Sequence, residues 1–172
     1  RQAIEEYRQA LALHPNLPHI YISLGWNYLA VGDKTQAVEH FQKAVDIDPT
    51  NARSRDQLGW AHYVMADYER AALELGKAIE LDPAYARAYG HLGVVKYVQK
   101  HYEEAFVYLK QAIDLGLKSV EYYYELGLSY VYLGDCEQGL PWLEEALQLD
   151  PTAAPAWQGI DICESRAKAA GK

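Results

Sequence analysis

Basic residues are scarce in this chain: 16 Lys and Arg stand against 24 Asp and Glu, for a formal net charge of −8. That balance argues against nucleic acid as a partner, which demands clustered Lys and Arg. Long apolar runs are missing too. None approaches the roughly 20 residues that cross a bilayer, so no membrane insertion is expected. No charged, hydrophobic, small-residue leader opens the chain, although one removed with an upstream segment would leave the compartment open. Cysteine occurs only twice, at Cys136 and Cys163, without metal-ligand spacing. The sequence therefore predicts two unpaired thiols and a cytoplasmic setting.

Catalytic constellations are absent as well. Gly32-Asp33-Lys34-Thr35 lacks the preceding glycine and strand of a phosphate cradle. No two histidines stand one helical turn apart: His14, His19, His40, His62, His91 and His101 are scattered, and His62 reads as a packed core histidine. The acidic pairs Glu103-Glu104 and Glu144-Glu145 read as solvated helix faces, not acid/base pairs. No enzyme activity, cofactor or metal is expected.

What the chain does have is a 34-residue register. Pro49, Pro83 and Pro151, each preceded by Asp, stand in it; Pro15 joins it, and Leu117 interrupts it. On that period Tyr21-x-x-Leu24-Gly25-x-x-Tyr28 aligns with Arg55-x-x-Leu58-Gly59-x-x-His62, Tyr89-x-x-Leu92-Gly93-x-x-Lys96 and Tyr123-x-x-Leu126-Gly127-x-x-Tyr130. A second pattern follows in each unit: Ala37-x3-Phe41, Ala71-x3-Leu75, Ala105-x3-Leu109 and Gly139-x3-Leu143, then Ala44, Ala78, Ala112 and Ala146.

These columns have a physical meaning. Apolar residues at i, i+3, i+4 and i+7 put one stripe on one helix face. Glycine inside such a stripe costs roughly 1 kcal/mol against alanine, which makes sense where a second helix approaches closely, with Ala37, Ala71, Ala105 and Gly139 as the facing residues. The short breaks at Gly32-Asp33, Ala66-Asp67, Lys100-His101 and Gly134-Asp135 make sequential helices antiparallel neighbours. Proline then ends each second helix. At Leu117 the proline is missing, and Gly116 is expected to supply a left-handed C-cap, with Ser119 as N-cap of the next helix. Pro141 predicts a mild kink within a second helix.

In these columns the chain resembles the tetratricopeptide repeat (TPR) family along essentially its whole length. The resemblance implies an all-α fold, a right-handed α-solenoid of antiparallel helix pairs with about ten helices. The expected organisation is a single array: 1–17 the second helix of a truncated repeat, then repeats at 18–51, 52–85, 86–119 and 120–153, and a capping helix at 154–172. Trp157-x-x-Ile160 keeps the first-helix register in that cap, with Asp161 in the glycine slot. The ends read as a piece of a longer protein, cut upstream and capped downstream.

In the TPR family the first helices line a concave groove that usually holds a peptide. Carried onto this chain, the groove stripe is His19, Ile22, Trp26 and Leu29, then Arg53, Asp56, Gln57, Trp60 and Tyr63. It continues through Arg87, Gly90, His91, Val94, Tyr97 and Val98, and through Glu121, Tyr124, Glu125, Leu128 and Tyr132. Trp26, Tyr63 and Tyr97 admit two readings, packing of adjacent first helices or ligand contact. Arg53, Arg87, Tyr124 and Glu125 are expected to meet the ligand, because burying charge between helices is costly. The lysine and asparagine carboxylate clamp of heat-shock co-chaperones is not expected: Ile22 with Trp26, Gln57, and Arg87 with His91 occupy its slots. The chain thus reads as a protein-interaction scaffold for a peptide or helical segment, acidic toward Arg53 and Arg87 and basic toward Glu121 and Glu125. Two alternatives stand beside it: self-association into a homo-oligomer through apolar helix faces, and substrate-positioning repeats of a larger enzyme.

Overall fold

The computed structural model describes residues 2–171. They form ten α-helices, and no strand occurs among the described residues. In chain order the helices are α1 (Gln2–Leu13), α2 (Pro18–Ala30), α3 (Lys34–Ile47), α4 (Ala52–Val64), α5 (Tyr68–Leu81), α6 (Ala86–Val98), α7 (Tyr102–Asp114), α8 (Val120–Tyr132), α9 (Cys136–Leu149) and α10 (Ala154–Ala170). Two compact units result, Arg1–Ala88 and Tyr89–Lys172.

In the first unit α2 packs on α3 and α4 on α5, while α1 leans on α2 and α3 on α4. The core runs from Ile4 of α1 through Leu24, Ala37, Phe41 and Ala44 to Leu58 and Ala61. Complete burial of a side chain such as Phe41 stabilises by about 1.5–3 kcal/mol. In the second unit α8 pairs with α9, and both α7 and α10 pack against this pair. Leu128, Val131, Leu143, Ala146 and Cys163 are the centre of that core.

The repeated glycines mark close approaches, as expected, but their main partner is not the facing small residue. A Cβ on Gly25 would lie 2.6 Å from the Phe41 ring, and one on Gly127 would lie 2.7 Å from Leu143. The large residue one turn beyond each small one lies over the glycine, and the Gly139 carbonyl, 3.0 Å from that same Cβ, sits beside it.

Two aspartate columns explain how the helices start and stop. Asp33, Asp67 and Asp135 accept from the backbone N–H of Gln36, Arg70 and Gln138, capping α3, α5 and α9. Asp48, Asp82 and Asp150 follow α3, α5 and α9 and accept from the N–H of Thr50, Ala84 and Thr152, closing a local turn around each proline. After α7, where that step is missing, Gly116 takes a positive φ of 92° and Leu117 N–H bonds Ala112 O, the predicted left-handed cap. Ser119 stands at the N-cap of α8, but its side chain makes no capping bond. α9 runs uninterrupted through Pro141.

Two expectations are corrected in the second unit. Cys136 and Cys163 are not free thiols: they form a disulfide with Cα atoms 5.6 Å apart. The pairing removes the free-thiol argument for the cytoplasm, since disulfides persist in oxidising compartments. The register of α10 also differs from the expected one. Gly159, not residue 161, is the close-packed position, where a Cβ would lie 2.7 Å from Leu143, and Trp157 is exposed. Cys163, one turn beyond Gly159, thereby faces Cys136 at the start of α9. Arg166, nearly one further turn on, donates to the Val131 carbonyl of α8 at 2.5 Å.

Candidate functional site

The first-helix stripe of the first unit is built around a hydrogen-bonded chain. Trp26 on α2 donates its indole Nε1–H to Gln57 Oε1 on α4 at 2.6 Å. Gln57 Nε2 donates to Asp56 Oδ2 at 2.7 Å, and the Tyr85 hydroxyl donates to the same oxygen at 3.3 Å. Asp56 is 0% exposed and Gln57 2%, so neither faces an open groove. The carboxylate is held by donors, as a buried charge must be. Burial, and then the Asp56 charge, push the Tyr85 phenol up to about 12, opposed by Arg87 and Arg53. Those two arginines are exposed.

Trp26 itself is 42% exposed. Its ring stands edge-on to Phe41, with centroids 5.8 Å apart, so Gln57 and Phe41 hold the indole from two sides. Trp60 and Tyr63 stack at 4.7 Å, and Tyr63 reaches Tyr68 at 6.0 Å. Ile22 is buried and forms one wall of a pocket of about 210 Å³ with His19, Asn51 and Arg53. Tyr85 lay outside the sequence-derived stripe. Its place two residues after Pro83, in the joint preceding α6, was the available signal.

A larger cavity of about 600 Å³ lies off this stripe, between α3 and α5 with Leu58 and His62 of α4 in its wall. Glu74 on its rim pairs with Arg55 at 2.8 Å and Lys77 at 2.6 Å. His62 is buried, and burial lowers its pKa, so it is neutral. The exposed Leu73 and half-buried Val38 of the second helices are what sequence reading passed over.

In the second unit the stripe is made of phenols and one buried carboxyl. Val94 and Leu128 are core residues, His91 and Tyr124 are half-buried, and Glu121 is exposed. Tyr97 of α6 hydrogen-bonds Tyr132 of α8. Tyr102 of α7, absent from the expected stripe, joins them: its ring centroid is 4.9 Å from Tyr132 and 5.8 Å from Tyr97. Burial and the neighbouring Tyr132, Glu125 and Tyr102 push the Tyr97 phenol far above the ordinary tyrosine range.

Glu125 departs most from expectation. It is 5% exposed instead of facing an open groove, and its Oε2 has no hydrogen-bond partner. Burial, and then repulsion by Glu121, push its carboxyl up to about 8. At neutral pH it holds its proton. Among the described residues no group of three His, Cys, Asp or Glu could hold a metal ion, and no helix is long and apolar enough to cross a membrane.

Paired helices of this length, joined by short capped turns and close-packed through a glycine column, define a TPR solenoid. Solved structures agree. The chain is similar to the crystal structure of MamA, at 27% identity over 88% of each chain with a TM-score of 0.75. It is similar in fold to YrrB, described as a TPR protein with an unusual peptide-binding site, at 21% identity over 93% of this chain and 82% of that one, TM-score 0.74. The first TPR domain of Spaghetti (RPAP3), solved with the HSP90 peptide SRMEEVD, matches at 21% identity over 68% of this chain and 93% of that one, TM-score 0.65. No curated protein sequence matches the chain significantly. The chain belongs to the family of the cilia and flagella-associated protein 70 C-terminal domain, whose profile matches residues 1–168.

Proposed function

We propose that this chain is a non-enzymatic scaffold module that binds a peptide or helical segment of a partner protein along the stripe of its first helices. The observation that carries this reading is Trp26, a large aromatic left 42% exposed yet held on both sides by Gln57 and Phe41. An immobilised tryptophan offers a wide apolar contact at little further cost in side-chain entropy, which is what binding hot spots use. Arg53 and Arg87, both exposed, favour acidic groups on the segment where it passes this unit. The peptide sites named for YrrB and RPAP3 give the reading a precedent on the same scaffold.

A peptide-display selection against the 172-residue chain, repeated with Trp26→Ala and Arg87→Glu, tests it. Selected peptides should lose at least tenfold in affinity for Trp26→Ala and several-fold for Arg87→Glu, with helical circular dichroism unchanged. Full retention by both variants rejects the groove assignment. Self-association is the second reading, favoured by Leu13 at the end of α1, which is 77% exposed. Light scattering that finds a monomer at high concentration removes it.

A further inference from the structure

The second unit presents two acidic side chains one helical turn apart in different states. Glu121 in the first turn of α8 is exposed, whereas Glu125 is 5% exposed with Oε2 lacking any partner. The charge that bears on it is the like charge of Glu121. His91 and Tyr97 lie on the matching stripe of α6, and the Tyr97 hydroxyl is taken by Tyr132. Lys96 of α6 is committed to Glu104 of α7 at 2.7 Å. Arg166 of α10 donates to the Val131 carbonyl, at the other end of α8. A buried acceptor is thus left open beside tyrosine rings.

We propose that the second unit reads a basic side chain of its partner. A lysine or arginine enters beside Glu121, donates an N–H to Glu125 Oε2, and lays its stem and charge against the rings of Tyr97 and Tyr132. This rests on the peptide-scaffold reading above and names the chemistry of one ligand residue. Charge-assisted hydrogen bonds to carboxylates are among the strongest available, and tyrosine faces attract cations. Tyr132, on the same stripe, is 39% exposed and offers its ring to solvent.

Entry of the cation changes who holds the proton. In the free chain Glu125 is a neutral acid, because burial and Glu121 both oppose its ionisation. With an ammonium or guanidinium beside it the carboxyl ionises and releases its proton to solvent, while the ligand keeps its own charge. Binding therefore strengthens with pH.

The test uses the 172-residue chain with 13C-labelled glutamate carboxyls, n-pentylammonium as the lysine side-chain probe and 1-pentanol as its neutral control. Alone, the Glu125 carboxyl carbon should titrate near pH 8. Saturating n-pentylammonium should lower that midpoint by at least about one pH unit, equivalent to a tenfold or greater gain in affinity between about pH 6 and pH 9. Pentanol should leave it in place. An unmoved midpoint, or an equal movement with pentanol, overturns the proposal. Glu125→Gln, isosteric with the protonated form, should keep its circular dichroism and lose the pH dependence of binding; unchanged n-pentylammonium affinity at pH 9 would also overturn it. These readouts do not involve Trp26, so a failed peptide selection in the first unit and a failed cation site in the second are told apart.

Discussion

The two units solve the same problem, a polar stripe on tightly packed first helices, by opposite means. In the first unit the buried Asp56 accepts hydrogen bonds from Gln57 and Tyr85. In the second unit Glu125 has an open oxygen and another carboxylate nearby, and its pKa is raised to about 8. Two buried acids on the same scaffold thus differ in what their neighbours supply. One stripe is a finished network, and the other is complete only with a proton or a cation.

The strongest way to break the comparison is to remove the shared support. Phe41→Ala should destabilise the first unit by about 3–5 kcal/mol, because Phe41 is fully buried over Gly25 and also backs Trp26. Chemical unfolding should show the loss, and hydrogen exchange should place it in residues 2–88. The reciprocal experiment removes the disulfide, which the first unit lacks. Cys136→Ser with Cys163→Ser should cost about 2–4 kcal/mol, with the exchange increase confined to α9 and α10.

A pH series sharpens the contrast in charge state. Glu125 has its folded pKa raised above the unfolded value of 4.5. Its contribution is therefore fully present below pH 4.5 and is lost as pH rises through about 8. Glu125→Gln should accordingly leave stability unchanged near pH 4 and raise it by about 1–3 kcal/mol at pH 9. No gain at pH 9 would show that the buried acid does not titrate in this range. In the first unit Gln57→Ala should cost about 1–2 kcal/mol, since it orphans Trp26 Nε1–H and removes one bond to Asp56. Tryptophan emission should shift to the red as the indole is released. Smallest are the caps common to both units: Asp67→Ala and Asp135→Ala should each cost about 1 kcal/mol by thermal unfolding.

Helix pairs were legible from the chain because the glycine and proline columns obey backbone sterics, which leave few alternatives. Gly25 and Phe41, or Gly127 and Leu143, are sixteen positions apart in every unit, and one packing geometry satisfies all four. The state of the stripe was not legible. A period places Asp56 and Glu125 on a helix face but says nothing of which side chains close over them, and Tyr85 and Tyr102 come from outside the repeated positions. The disulfide was hidden for a related reason. Cys163 meets Cys136 only because α10 turns Gly159 toward Leu143, a departure from the very register used to read the rest.

That crosslink also determines how the chain would respond to a protease. The connection from α9 to α10, at Pro151 and Thr152, is exposed and lies between the two bridged positions, so one cut there leaves the pieces covalently joined. A nicked chain should migrate as a single species on a non-reducing gel and separate only when thiol is added. The C-terminal helix would survive proteolytic trimming that would detach it from an array without the bridge.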